Sequence, residues 1–119
     1  MKNFLLQIQI LLRARYPVIY LVSHEEQRVL RALDKIAEVE HKKVLVWSST
    51  VGLSSQEGEQ TCLESLEILE KTTEPSILIL LDGQKEFKDE KVIRRCRDLS
   101  ASLPKQGHAL IILSPILVI

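Results

Sequence analysis

The stretch Val18-Ile19-Tyr20-Leu21-Val22 runs directly into Ser23-His24-Glu25-Glu26, and this junction decides the interpretation of the whole chain. An apolar strand that passes through a polar turn into a helix is typical of α/β domains. In members of that class that bind nucleotides, glycines in this turn let backbone amides contact phosphate. Here the turn has no glycine and no lysine, and it carries two carboxylates. A later apolar strand that ends at an aspartate, Ile77–Asp82, resembles a strand in the sheet of a nucleotide-hydrolysing enzyme. The sequence therefore predicts such a scaffold without its phosphate site.

The rest of the chain alternates between helical and strand patterns. The predicted strands are Val18–Val22, Val44–Trp47, Ile77–Leu81 and Ala109–Leu113. The predicted helices are one that ends near Tyr16-Pro17, one from about Glu25 to Glu40, one through Leu63, Leu66 and Leu69, and one capped by Asp89. Strict alternation with right-handed crossovers predicts a three-layer α/β/α domain with a mainly parallel, four-stranded sheet.

The 119 residues are expected to form one domain, 1–119. By analogy with P-loop folds, the first strand is expected beside the fourth and near an edge of the sheet. The unbroken apolar character of that first strand also suggests burial on both of its faces. The apolar segment Pro115–Ile119 suggests an added strand, an extension, or a chain that is a piece of something longer.

The composition excludes several classes of function. Sixteen basic residues balance sixteen acidic ones, so no net field attracts nucleic acid or an anionic membrane. Aromatic residues make up 4% of the chain, which disfavours base-stacking surfaces. Cys62 and Cys96 both fall in predicted helices and are expected to be buried free thiols in a reducing compartment, the cytoplasm. His24, His41 and His108 share no metal-ligand spacing, so no metal site is expected.

The helix start at Ser23 provides the argument against ATP binding. Ser23 and Glu26 fit the capping-box pattern, in which each side chain bonds the backbone amide of the other residue. Amides occupied in this way are not available to a triphosphate, and Glu25 and Glu26 would repel it. We therefore expect no catalytic residue and no cofactor in this chain.

Two enzymatic or signalling alternatives depend on Asp82. One is a small α/β enzyme with its site at Asp82 and the polar loop Ser48–Gln60, at the carboxyl edge of the sheet. The other is a stand-alone signalling or adaptor domain, similar to a response regulator, with Asp82 as phosphoacceptor. That class needs a lysine after its last strands, whereas Lys105 precedes the fourth strand. The residues favour a turn or cap role for Asp82.

Basic helix segments suggest an interaction surface for an acidic protein partner. Acidic residues are interleaved among these arginines, so solvated helix faces are the simpler interpretation. Trp47 ends the second strand, and a place in the core is favoured for it over a contact with a partner. The candidate surface comprises Arg28, Arg31, Arg94, Arg95, Arg97 and Trp47.

Four segments resemble the start of AAA+ ATPases found in cyanobacteria and in algal plastid genomes. They cover essentially the whole chain in the right order, and they are Leu12–Tyr20, Val46–Leu53, Val92–Leu99 and Ile111–Pro115. In that family these segments form a degenerate RecA-like N-terminal domain that is followed by the ATPase domain.

The resemblance implies a non-catalytic, regulatory N-terminal domain that acts in substrate selection, assembly or protein interaction. The family's phosphate-binding loop, magnesium aspartate and arginine fingers lie beyond Ile119, so none is carried onto this chain. ATP and Mg²⁺ are expected only in the ATPase domain. The implied partners are an ATPase domain or its substrates, with oligomers possible, and the implied location is the stroma if the protein is plastid-encoded.

Overall fold

A computed structural model describes residues 2–54 and 56–115, with side chains from Phe4 onward. Four helices alternate with the main strands: α1 (Lys2–Arg13), α2 (Glu26–Val39), α3 (Cys62–Lys71) and α4 (Glu90–Gln106). The strands are β1 (Val18–Val22), β2 (Lys43–Ser48), β3 (Gly52–Leu53), β4 (Ser76–Leu81) and β5 (Ala109–Ser114). The predicted α/β class is confirmed. The apolar residues 116–119 lie outside the described residues.

The sheet has the strand order β1-β5-β4-β2-β3. The pairs β1–β5, β5–β4 and β4–β2 are parallel, with Val18 opposite Leu110 and Ile77 opposite Ala109. The expected contact between the first strand and Ala109–Leu113 is confirmed, as is the place of β1 at an edge. Because β4 and β5 lie in the middle of the sheet, nearly all their residues are buried.

The helices form one layer on each side of this sheet. Helices α1 and α2 pack on Ile77, Ile79 and Ile111. Helices α3 and α4 pack on the alternate residues, such as Leu78 and Leu80. Alternation of side chains along a strand produces this division, and it yields the predicted three layers.

The prediction that β1 is buried on both faces is wrong. Ile19 and Leu21 are buried against α1 and α2, but Tyr20 and Val22 on the other face are 40% and 43% exposed. An edge strand lies outside the reach of α4, which covers the strands nearer the middle. Hydrophobicity alone cannot report this, because an apolar run looks the same at an edge and in the centre.

Within the described residues the sheet has five strands instead of the predicted four, because the polar loop after Trp47 turns back on β2. Strand β3 pairs antiparallel with β2, placing Leu53 opposite Trp47. Gln60 holds this hairpin: its Oε1 accepts from the amide of Leu53 at 2.9 Å, and its backbone oxygen accepts from Trp47 Nε1 at 2.8 Å. Gly52 makes the turn possible with a φ of 75°, where a Cβ would lie 2.6 Å from the nitrogen of Gln60.

Candidate functional site

The turn between β1 and α2 occupies the position where nucleotide-binding folds hold phosphate, and its predicted capping box is wrong. Ser23 Oγ accepts from the amide of Glu25 at 3.1 Å, so it does not reach Glu26. The amide of Ser23 donates to the backbone oxygen of Ser114 at 2.9 Å. Helix α2 begins two residues later than the box requires, with Glu25 as N-cap and no side-chain cap. The pairing of β1 with β5 took the amide that Glu26 was expected to bind.

The carboxylates of this turn nevertheless stay at the start of α2. Glu25 Oε1 lies 3.5 Å from Arg28 Nη1, and Glu26 is in the first helical turn. Both negative charges interact favourably with the positive end of the helix dipole and oppose a second anion there. The carboxylates of Glu25 and Glu26 therefore still disfavour a phosphate at the start of α2. The predicted occupation of the backbone amides by a capping box, in contrast, does not occur.

A true capping box lies at the start of α3 instead. Thr61 Oγ1 accepts from the amide of Glu64 at 3.1 Å, and Glu64 Oε1 accepts from the amide of Thr61 at 3.0 Å. The sequence carries the same signal at both places, a hydroxyl residue followed three positions later by glutamate. The two helix starts differ because the pairing of β1 with β5 takes the amide of Ser23, whereas the amide of Thr61 donates to Glu64.

Asp82 sits at the carboxyl end of β4, where the sequence placed it. Its backbone is left-handed, with a φ of 53°, and it precedes the 3₁₀ helix Gly83–Lys88 as its N-cap. Lys105 lies in the last turn of α4, which ends at the opposite, amino edge of the sheet, just before β5. The structure therefore separates Asp82 from Lys105 and gives Asp82 a role in the turn.

The arginines of the predicted surface fall into two groups on opposite sides of the molecule. Arg28 and Arg31 project from α2, whose inner face packs on one side of the sheet. Arg94, Arg95 and Arg97 belong to α4, which packs on the other side. A single surface made of all five residues is therefore excluded.

Trp47 belongs to neither group. It is only 3% exposed and packs in the core beneath α3, so its inclusion in the predicted surface is wrong. The alternative place in the core, which the sequence favoured, is confirmed.

On the α4 side, nearby carboxylates neutralise two of the arginines. Arg94 Nη2 lies 3.1 Å from Asp98 Oδ1, one helical turn away on the same helix. Arg95 Nη2 lies 3.5 Å from Glu67 Oε1 on α3. Exposed pairs of this kind contribute little to stability, but they lower the net charge of the face. The solvated-face interpretation fits this side.

The α2 side is different. Arg31 and Lys35 have no carboxylate within 4.0 Å among the described residues. They border a groove of about 500 Å³ between α1 and α2, which we call the α1–α2 groove. Its lining includes Leu5, Gln9, Arg28, Arg31, Lys35 and Val39.

The α1–α2 groove combines positive charge with apolar surface. Arg28, Arg31 and Lys35 follow one another at helical spacing, so their side chains form a stripe along α2. Val39 continues this stripe and is 60% exposed. From α1, Leu5 adds a partly buried apolar side chain to the lining. A surface of this composition suits an amphipathic segment with acidic residues.

A further basic cluster at the amino edge of the sheet has a structural role. Arg15 Nη1 donates to the backbone oxygen of Pro104 at 2.9 Å, and Lys42 Nζ donates to that of Gly107. Both cations satisfy carbonyl groups at the carboxyl end of α4, where the helix dipole is negative. Burial, together with the charge of Arg15, lowers the pKa of Lys42. No sequence pattern predicts this cluster, because its members come together only through tertiary packing.

The two cysteines are buried free thiols, as predicted. Burial raises the pKa of Cys62 to about 12 and that of Cys96 to about 11. Thiols that remain protonated at neutral pH are poor nucleophiles.

Within residues 2–54 and 56–115, no group of three or more His, Cys, Asp or Glu side chains is arranged to hold a metal ion. In the same part of the chain, no helix has the length and hydrophobicity to cross a membrane.

Comparison with known proteins places this fold in a family. Residues 4–119 match the family described as the N-terminal domain of SpoVK-like AAA ATPases. The chain is 29% identical, over 98% of its length, to the uncharacterized AAA domain-containing protein ycf46 of Guillardia theta. It is 28% identical, over 90% of its length, to the ycf46 protein of Trieres chinensis. It spans only 25% and 23% of the lengths of these two relatives. The chain therefore belongs to the family of SpoVK-like AAA ATPase N-terminal domains.

Proposed function

We infer that this domain is a non-catalytic, regulatory part of an AAA ATPase and that it binds an acidic amphipathic protein segment in the α1–α2 groove. The observation that carries the proposal is the pair of cations without a nearby carboxylate, Arg31 and Lys35, beside the exposed side chain of Val39 and the partly buried Leu5. Buried apolar contacts would provide affinity, and charge complementarity would select acidic partners. The partner is a substrate or another part of the ATPase assembly.

The site at the β1–α2 turn supports the non-catalytic part of the proposal. Glu25 and Glu26 disfavour an anionic ligand at the start of α2, and no glycine lets a backbone approach phosphate there. ATP and Mg²⁺ would act in the ATPase domain of the longer protein, in the cytoplasm or the plastid stroma. Isothermal titration of this chain with Mg·ATP is expected to give no binding heat at millimolar nucleotide. Saturable heat would contradict this part.

The interaction is tested with a labelled synthetic helix that carries glutamates on one face and leucines on the other. Fluorescence anisotropy is expected to show binding that weakens as salt is added, because the charges lie near the surface. The double variant Arg31→Glu/Lys35→Glu should bind about tenfold more weakly or worse, since like charges then face each other.

The matched control is Arg94→Glu/Arg97→Glu, which makes the same charge change on the opposite side of the sheet. It should bind within about twofold of the wild type, because long-range charge effects are screened. A scrambled peptide of the same composition separates groove binding from general attraction. Equal losses in both double variants, or equal binding of the scrambled peptide, would refute the α1–α2 groove as the site.

A further inference from the structure

The outer edge of β1 carries backbone groups that have no strand beside them among the described residues. β1 is the first strand in the sheet order, and β5 is its only neighbour in the described part of the chain. The oxygen of Pro17 accepts from the amide of Leu110 on β5. Because backbone groups point alternately to the two sides of a strand, those of Val18, Tyr20 and Val22 point away from β5. These three residues define the outer edge.

The outer edge lacks the features by which proteins protect an exposed strand. Charged residues, prolines and bulges within an edge strand prevent it from pairing with another chain. β1 consists of apolar residues and one tyrosine, and it pairs with β5 in an unbroken register. Pro17 precedes it, but the missing N–H of that proline lies on the β5 side. The outer edge is therefore competent to pair with another strand.

Exposed side chains accompany the outer edge. Tyr20 and Val22 are exposed on the face of the sheet that α3 and α4 cover nearer the middle. A strand added beside β1 would extend this face, cover both side chains and pair with the backbone groups. Side chains directly opposite each other on neighbouring strands have Cβ atoms about 4.5–5.5 Å apart, which is close enough for contact. The outer edge thus suits a strand that has large or apolar side chains at alternate positions.

β1 of a second copy of the chain meets this requirement. In an antiparallel pair, residues that face each other either exchange both backbone hydrogen bonds or exchange none. A twofold axis at Tyr20 places Tyr20 opposite itself and Val18 opposite Val22. All of these residues belong to the outer edge, so every opposed pair among them exchanges its hydrogen bonds. A twofold contact of this kind uses the same surface on both copies and closes after two.

Charges at the two ends of β1 favour the same arrangement. The turn before β1 carries Arg15 and the turn after it carries Glu25, and both residues are exposed. Antiparallel pairing brings Arg15 of one copy toward Glu25 of the other, twice by symmetry. A parallel pairing would instead bring like charges together. Complementary charges of this kind fix the orientation of a contact more than its strength.

We propose that β1 pairs antiparallel with β1 of a second copy of this chain, about a twofold axis at Tyr20, to form a dimer with one continuous sheet. The contact is separate from the α1–α2 groove and does not depend on the partner proposed there. Two strands of 5 residues make a small contact, so the dimer is expected to be weak.

Sedimentation equilibrium of the 119-residue chain tests the association. Between about 10 μM and 1 mM, a range that suits a weak contact, the average mass should rise from that of a monomer to near that of a dimer. Tyr20→Lys places like charges at the twofold axis and should raise the dissociation constant at least about tenfold. Val51→Lys, at an exposed position in the turn at the other edge of the sheet, is the matched control and should change it less than about twofold. A mass that stays monomeric, or equal losses in both variants, would overturn the proposal.

Amide hydrogen exchange locates the contact without any substitution. At about 1 mM, the amides of Val18, Tyr20 and Val22 should exchange about fivefold more slowly than at about 10 μM, because the dimer holds them in hydrogen bonds. The amides of Ile19 and Leu21 face β5 in monomer and dimer alike, and they provide the internal control. Exchange at the outer edge that does not depend on concentration would refute the pairing.

Cysteine variants test the register. Val18→Cys chains mixed with Val22→Cys chains under a mild oxidant should form a mixed disulfide at least about tenfold faster than either variant forms one with itself. Only the mixed pair would face across the twofold axis. Cys62 and Cys96 are buried and should not compete. Faster cross-linking of Val22→Cys with itself would exclude this register and overturn the proposal.

Discussion

His108 is the buried polar residue that connects β5 to the loop before β4. It is 3% exposed, its Nδ1 accepts from the amide of Ser76 at 3.0 Å, and its Nε2 lies 2.8 Å from the backbone oxygen of Thr72. Because the amide must donate to Nδ1, the proton of the neutral ring sits on Nε2. Sequence reasoning weighed this histidine only as a metal ligand and missed its structural role.

Replacing His108 by leucine is expected to lower the free energy of unfolding by about 1–3 kcal/mol, because the buried amide of Ser76 and the partly buried carbonyl of Thr72 would both lose a partner. Urea denaturation followed by Trp47 fluorescence measures the change. His24→Leu, at an exposed position in the β1–α2 turn, is the control and should change it by less than about 0.5 kcal/mol. Similar effects of the two substitutions would argue against the bridging role.

Glu40 links α2 to α1 through Arg13 and Gln9. Arg13 Nε lies 3.1 Å from Glu40 Oε1, and Gln9 Nε2 donates to Oε2 at 3.2 Å. The hydrogen bond from Arg13, followed by that from Gln9, lowers the pKa of the Glu40 carboxyl. A carboxyl whose pKa is lower in the folded state stabilises the fold above its unfolded pKa, and this contribution is lost as the pH falls through the folded pKa.

The Glu40→Gln variant should therefore be less stable than the wild type near neutral pH. The difference should begin to shrink as the pH falls below the pKa of an unfolded glutamate, about 4.3. It should be lost once the pH has fallen through the lowered pKa of the folded carboxyl. Urea midpoints measured from pH 3 to pH 7 test this. A difference that stays constant across the range would show that the charge of Glu40 contributes nothing.

At the scale of elements, the start of α3 provides a direct test of local capping. Thr61→Ala removes a side-chain cap and is expected to cost about 1 kcal/mol, whereas Thr61→Ser should retain most of the stability. Ser23→Ala is the informative comparison, because Ser23 follows the same sequence pattern without capping α2. It should cost clearly less. Equal losses at the two positions would mean that the pattern, and not the observed geometry, governs stability.

The elements also show how far the sequence could be interpreted. Helices and parallel strands were predictable because their hydrophobic periods are long and unbroken, as in Val92–Leu103 on the inner face of α4. Strand β3 was not, since two residues carry no period and depend on Gln60 seven positions after Leu53. The place of β1 in the sheet was predicted by analogy. The exposure of Tyr20 and Val22 depends on how far across the sheet the layer of α3 and α4 extends, and no local sequence pattern encodes that extent.

The candidate site was predictable only in part, for a related reason. The arginines were identified from composition and helical spacing, which place residues on helices but do not assign the helices to a side of the sheet. The separation of Arg31 from Arg94 follows from the crossover directions. Whether Arg31 and Lys35 have ion-pair partners depends on which carboxylates lie near them in the folded molecule, and the sequence pattern does not report this.

At the scale of the whole molecule, the two thiols should report complete unfolding. Cys62 on α3 and Cys96 on α4 belong to the same core cluster, and burial raises the pKa of both thiols. Alkylation by iodoacetamide at pH 8 should be at least roughly a hundredfold slower in the native chain than in urea, because so little thiolate forms. Intact mass should show the two sites reacting together. Rapid modification of one cysteine alone would reveal local opening instead.

The order of the strands has a consequence for how the domain is made. Strand β5 lies between β1 and β4 in the sheet, yet it is the last of these strands to be synthesised. Until residues 109–114 leave the ribosome, β1 has no neighbour and β4 has a bare edge of the kind that promotes aggregation. The strands made earlier would therefore need shielding until residues 109–114 have emerged and joined the sheet.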